Sequence, residues 1–266
     1  MFDLVDSHCH LDDVRFDIDR SQVLERSRAA GVRQVVVPAT TAARWPAVRS
    51  ACGQGAGLFP AYGLHPMFIA EHNGDHLRAL ETWLAEGDAV AIGECGLDFS
   101  SPDWDAKAQR HFFAAQVSMA RQTGLPLIVH ARKAVEEVIL TLKRAGGVQG
   151  VVHSYSGSIE QARQLADLGI HVSLGGPMTH ERARRLRALV TALPDWQLLL
   201  ETDAPDQPDA AIPGQRNEPS RLSVILEAAA RLRGQSAAEL AAITAANARR
   251  LFNLPAPLAG DVPLRD

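Results

Sequence analysis

Cysteine is scarce in this chain. Cys9, Cys52 and Cys95 are the only three in 266 residues, and no two form a C-x-x-C. A paired disulfide framework is excluded, and an odd number of scattered thiols fits a reducing cytoplasm. Long apolar runs are missing too. None approaches the length of about 20 residues needed to cross a bilayer, so a membrane role is not expected. The first strand starts by about Leu4, which leaves no room for a secretory leader. Charge of one sign is not in excess. The net charge is −4, which argues against a broad surface for coating nucleic acid and leaves only a local basic pocket for anions. No linker or shift of composition divides the chain, so a single domain is expected, and no partner copy is called for: a monomer.

What is present is β-rich apolar runs alternating with helical patterns. The runs are 4–8, 34–39, 58–64, 89–93, 125–130, 150–154, 170–175 and 197–202. Their interiors are apolar throughout, as in a parallel sheet covered on both faces. Helical patterns occupy 21–30, 75–86, 103–123, 158–168, 179–193, 218–233 and 236–251. Gly31, Gly87 and Gly169 follow three of them, and Ser158-x-x-Gln161 opens one as a capping box. From His8 to Asp203 the seven strand intervals average about 28 residues, a normal βα repeat. The expected fold is therefore a (β/α)8 barrel over residues 1–254, followed by an irregular tail, 255–266. A doubly wound open sheet is the alternative, but no G-x-G-x-x-G follows the first strand.

Polar residues gather where the apolar runs end. In Asp6-Ser-His-Cys-His-Leu-Asp12 two histidines stand two positions apart, so in an extended chain His8 and His10 face the same way. Glu94, His130, His153 and Asp203 stand at the ends of later runs. Barrels of this kind keep their active sites at the C-terminal ends of the strands, so six donors are expected at one mouth. Four imidazoles and two carboxylates are too many for one tetrahedral ion and suit a pair of divalent ions bridged by a carboxylate. Glu94, between the ligands of strands one and five, is the natural bridge. His8, His10, Glu94 and Asp203 are assigned to one ion, and Glu94, His130 and His153 to the other. Imidazole-rich donors favour Zn, Mn or Fe over Mg. Asp203 can also take a proton from an attacking water. Glu201, two residues earlier, is expected to hydrogen-bond a ligand from a deeper layer. Cys95, beside Glu94, faces the other way.

These residues also carry a resemblance. Asp6-Ser-His-Cys-His-Leu-Asp12, Gly63-Leu-His-Pro66, Gly93-Glu-Cys-Gly-Leu-Asp98, Val129-His-Ala-Arg132, Val152-His-Ser-Tyr-Ser-Gly157 and Leu200-Glu-Thr-Asp-Ala-Pro205 occur in the order found in the TatD-like metal-dependent hydrolases, within the amidohydrolase-type barrel superfamily, and the chain resembles that family over nearly its whole length. The resemblance implies metal-dependent phosphodiester hydrolysis, typically of DNA from an end and here expected in the 3'-5' direction, with the same six ligands. DNA ends or short single strands are then the expected partners. Met67 stands where the family often has a second histidine after Pro66, Tyr155 replaces a usual phenylalanine, and Ser220 and Arg221 follow Pro219 where an aromatic is common.

For substrate contact the expected residues are His65, Arg132 and Arg216. A histidine ending strand three can donate to a phosphate oxygen, and a guanidinium can grip phosphate bidentately. Lys133 is a weaker candidate. The basic stretch 181–187 reads as the exposed face of a helix. His72, His76, His111, His171 and His180 show no convergence. A hydrolase of C–N or C–O bonds on the same metals is the competing function, since fold does not fix function. No lysine ends strand four or five to serve as a carbamylated bridge, which favours the phosphodiesterase. A non-catalytic barrel is disfavoured by the intact donor set.

Overall fold

The structure, a computed structural model, describes residues 2–256. Eight parallel strands run in sequence order: β1 (Leu4–Asp6), β2 (Val32–Pro38), β3 (Leu58–Tyr62), β4 (Ala91–Asp98), β5 (Leu127–Arg132), β6 (Gly150–Val152), β7 (His171–Leu174) and β8 (Leu198–Leu200). Each is bonded to the next. Ser7 N donates to Leu200 O (3.1 Å) and Asp203 N to His8 O (2.9 Å), bringing the last strand back to the first. The expected barrel is what forms.

Between and after the strands lie α1 (Arg20–Ala29), α2 (Trp45–Cys52), α3 (Gly74–Ala85), α4 (Ala106–Thr123), α5 (Val135–Ala145), α6 (Ile159–Asp167), α7 (Arg184–Ala192), α8 (Leu222–Arg233) and α9 (Ala237–Phe252). Local chemistry fixes their ends. Asp105 accepts from the amides of Lys107 and Ala108 at the start of α4, and Gly124 closes that helix at φ 75°. The capping box Ser158–Gln161 forms as expected. Thr179 does not cap α7. Its hydroxyl donates to Gly176 O and accepts from Ala210 N, so it serves a short turn, and α7 starts five residues later.

Apolar residues form two layers. Val5, Val36, Ala61, Ala91, Ile128, Val151 and Leu199, one from each of seven strands, pack with Ala245, Ala248, Leu251 and Phe252 of α9. The larger cluster joins the strands to the helices, and includes Leu4, Val35, Ile92, Val129 and Leu198. Alternate residues of a strand thus bury into different layers, the period-two consequence of the pleat. Pro255 O accepts from Gln34 Nε2; the expected irregular tail lies, from residue 257 onward, outside the described residues.

Candidate metal centre

Glu94 sits at the middle of the cluster, fully buried. It does not end its strand, as the sequence suggests; β4 continues through it to Asp98. The β4–β5 register shifts between Ile92 and Cys95, an irregularity that re-aims the side chain into the mouth. Gly96 permits the close pairing that follows: at φ 133°, a Cβ there would lie 2.1 Å from His130 O.

The two oxygens of Glu94 face different histidines. Oε2 is 3.2 Å from His8 Nε2 and 3.4 Å from His10 Nε2. Oε1 is 2.7 Å from His153 Nε2 and 3.0 Å from His130 Nδ1. Asp203 Oδ1 joins the first group, 3.5 Å from both His8 Nε2 and His10 Nε2. All six expected donors therefore meet.

His8 and His10 lie beyond β1, not on it. They still face the same way, because the segment stays extended and is bonded on both flanks: Cys9 N to Val36 O (3.1 Å) and His10 N to Ala204 O (2.8 Å). Cys9 points away, fully buried, with Sγ 3.6 Å from Ala204 O. Cys95 likewise turns to Ile128 O.

The tautomers follow from the partners. Pro38 O can only accept, so His10 Nδ1 carries a hydrogen at 3.1 Å, and in the neutral ring Nε2 is the bare nitrogen. Asp98 Oδ2 accepts from His130 Nε2 at 2.9 Å, which leaves His130 Nδ1 bare. Nitrogens of neighbouring ligands also approach one another, His8 Nε2 to His10 Nε2 at 3.2 Å and His130 Nδ1 to His153 Nε2 at 3.3 Å. Bare nitrogens crowded around two carboxylates are acceptors facing acceptors. Buried acceptors need partners, and a cation is the partner this donor set fits. The carboxylates draw positive charge to this point, whether it comes as a proton on a ring or as a cation. Burial opposes charge on His10, yet the hydrogen bond and charge of Glu94 hold it up at about 9. Burial likewise works against a charged Glu94, but His153, His65 and His8 keep its carboxyl well below the usual range. The His–carboxylate groups are able to bind metal.

Support for these ligands includes residues that the sequence reading passed over. Asp98 is buried and held at a pKa of about 2, with burial opposed by His130 and Ser100. It shares strand parity with Glu94, a period-two signal that could have flagged it. Asp6 binds Thr202 Oγ1 (2.6 Å) and Thr202 N (3.0 Å), locking β1 to β8; burial raises it to about 7 despite those bonds. Glu201 does not hydrogen-bond a ligand as expected. Its Oε1 accepts from Ser154 N at 2.6 Å and stands 3.7 Å from His153 Nδ1.

The cluster opens into a cavity of about 1010 Å³, lined by His10, His65, Glu94, His130, Arg132, His153 and Asp203 among others. His65 is buried, and burial pushes its pKa down to about 4. Its Nδ1 accepts from Met67 N (3.0 Å), so the ring is neutral with its hydrogen on Nε2, donated to Glu94 Oε1 at 2.7 Å. Arg132 ends β5 and is exposed. The other arginines lining the cavity are paired, Arg44 with Asp12, and Arg15 with Asp13 and Asp206. Among the described residues Arg132 has no ion pair. Arg216 is not brought to the cavity. Its guanidinium is taken up by Asp19, at 2.7 Å to each oxygen, and by Arg15 O, and lies 4.9 Å from the Phe16 ring. With both hydrogens of Nη1 and one of Nη2 committed there, and with the residue outside the cavity lining, Arg216 is not placed to hold a phosphate at this mouth, contrary to the expectation.

A nearly closed eight-stranded barrel with histidines and carboxylates converging at the C-terminal ends of its strands defines a metal-dependent hydrolase. Residues 5–253 match the model of the family described as TatD related DNase, and the chain belongs to that family. It is 36% identical to the uncharacterized metal-dependent hydrolase YjjV of Escherichia coli K12, across 94% of this chain and 98% of that one. It is also 36% identical to the 3'-5' ssDNA/RNA exonuclease TatD of Erwinia tasmaniensis, across 96% of this chain and all of the relative (100%). The crystal structure of Escherichia coli YjjV superposes with a TM-score of 0.91 at 35% identity, covering 95% of this chain and 98% of the other. Among the described residues, no helix is long and apolar enough to cross a membrane.

Proposed function

We propose that this protein is a two-metal phosphodiesterase that removes nucleotides from the 3' end of single-stranded DNA or RNA. The observation that carries the reading is the division of Glu94, one oxygen toward His8 and His10 and the other toward His130 and His153. Relatives named as 3'-5' ssDNA/RNA exonucleases support the substrate class. In this reading His8, His10, Asp203 and Glu94 would hold one divalent ion, and His130, His153 and Glu94 would hold the other; Zn, Mn and Mg are the candidates. When bound, such a pair supplies Lewis acidity for the phosphoryl oxygens and a nucleophilic water near neutral pH.

The protein's own groups do the rest. Asp203, whose Oδ1 lies beside His8 and His10, would help to hold the first ion and is the carboxylate placed to accept a proton from an attacking water. His65 has one N–H, on Nε2, donated to Glu94 Oε1; a substrate oxygen arriving there would have to take that hydrogen bond over. Arg132, unpaired at the mouth, grips the phosphate bidentately. The β5/β6 side has three protein ligands, which leaves room in the coordination shell for substrate. Three unpaired cysteines fit a reducing cytoplasmic setting, and we take the protein to act as a monomer.

The test is a panel assay of the metal-loaded protein on single-stranded DNA and RNA labelled at either end, small phosphodiesters, and amides and lactones. Release of mononucleotides from the 3' end, lost on chelation and restored by Mn or Zn, is expected. Amide or lactone hydrolysis with no phosphodiesterase activity on any substrate would overturn the reading.

A further inference from the structure

Asp203 turns only one of its oxygens to His8 and His10. The other, Oδ2, accepts a hydrogen bond from Gln207 Nε2. The Gln207 amide is itself held by Ser154, whose Oγ lies 2.8 Å from Nε2 and 3.0 Å from Oε1. Ser154 directly follows the ligand His153, and its amide donates to buried Glu201. Gln207 thus touches a ligand from β8 and the residue beside a ligand from β6.

The backbone at this junction is held out of its ordinary range. Asp203, Ser154 and Gln207 all adopt positive φ, at 53°, 45° and 49°, and none is glycine. Such residues persist where surrounding contacts over-determine them, and they cluster at functional sites. The contacts are present. Buried Asn217 donates through Nδ2 to Thr202 O (2.9 Å), Asp206 O (2.9 Å) and Gln207 O (3.2 Å), tying down the whole turn from Thr202 to Gln207. Gly176 packs under the same turn so closely that a Cβ there would lie 2.2 Å from Gln207 O.

We propose that Gln207 is a positioning residue for the hydrolytic site. Its amide clasps Asp203 and Ser154 together, so that Oδ1 faces the first ion and the carboxylate cannot rotate both oxygens onto it. The inference rests on the two-metal reading of Asp203. It predicts that the clasp acts on the ion held by His8, His10 and Asp203, and on turnover, more than on substrate capture.

The experiment compares wild type, Gln207→Leu, Gln207→Glu and Ser154→Ala by metal titration, melting temperature and steady-state kinetics. Leu removes both side-chain bonds at similar size, and Glu keeps an acceptor for Ser154 but cannot donate to ionised Asp203. Loss of a hydrogen-bonding partner behind a ligand typically costs about 10–100-fold in metal affinity or activity. Both Gln207 variants should therefore bind one of two ions about 10–100-fold more weakly and lose kcat by a similar factor, with KM within about threefold. Ser154→Ala should move the same quantities less. If the Leu variant fails to fold, the Glu variant carries the test. Two ions bound as tightly as in wild type, a change in KM alone, or equal weakening of both ions would overturn the clasp. A wild type that binds no divalent ions would instead overturn the two-metal reading, and the clasp with it.

Discussion

On the β1/β8 side of Glu94, His10 and Asp203 are held by neutral groups, whereas on the β5/β6 side His130 is held by a carboxylate. His10 is steadied by the Pro38 carbonyl and Asp203 by the Gln207 amide. His130 donates to Asp98, and Glu201 stands 3.7 Å behind His153. The first side carries its extra negative charge within the ligand shell, as Asp203. The second carries it one layer out. A carboxylate that accepts from a histidine, as Asp98 does from His130, makes it a more basic ligand and fixes its tautomer without occupying a coordination position. The β5/β6 side can then bind an ion firmly with three ligands and stay open, and it is the side on which His65 and Arg132 lie. The β1/β8 side is closed by a fourth ligand that is also the group placed to take a proton. In the proposed two-metal reading, the asymmetry would put substrate on one side and the water's proton on the other.

The largest expected effect comes from removing what the two sides share. Glu94→Ala should weaken both ions and lower kcat by more than about a thousandfold, as when residues acting as one unit are broken. His153→Ala should empty mainly one site. If titration shows Glu94→Ala binding two ions with wild-type affinity, the two sides are independent and the bridge is wrong. Asp203→Asn tests the β1/β8 side alone. It keeps an oxygen donor and loses the base, so kcat should fall by about 10²–10⁴, with the β5/β6 ion retained. Near-normal turnover would remove Asp203 from proton transfer.

Asp98→Asn is the matching test on the other side. The amide offers His130 a poorer partner than the carboxylate it replaces. Affinity for one ion should drop about 10–100-fold while the other is unchanged, the reverse of the pattern expected at Gln207. A loss shared equally by both ions would erase the distinction between the sides.

Much of this was legible in the sequence, and what escaped has identifiable causes. The six donors stood out because each follows an apolar run, and a barrel forces all such points to one rim. Helices α2 and α5 were not marked: α2 is eight residues long with Pro46 near its start, and α5 is rich in the β-branched residues that also read as strand. Arg216 misled because charge type alone does not reveal a partner 197 positions away, and Asp19 had already claimed it. Gln207 left no signal at all. Its role exists only because the turn from Thr202 to Gln207 folds back onto Ser154, a contact between residues 53 apart.

The smallest expected effect is at Arg132, and it tests whether the open side is the substrate side. Arg132 has no counter-charge among the described residues, while Arg15 and Arg44 at the same rim are neutralised by Asp13, Asp206 and Asp12. A net charge of −4 argues against a broad basic track to supplement it. Affinity for a nucleic-acid end should thus come from one or two phosphate contacts and the ions. For single strands each contact contributes about −0.7 to the slope of log affinity against log salt, so the slope should lie between about −0.7 and −1.4. Arg132→Ala should raise KM about tenfold, the value of a charge-assisted hydrogen bond of roughly 1.5 kcal/mol, make the slope shallower by about 0.7, and leave metal content unchanged. A steep wild-type slope, or a variant that loses metal, would place substrate recognition elsewhere on the rim.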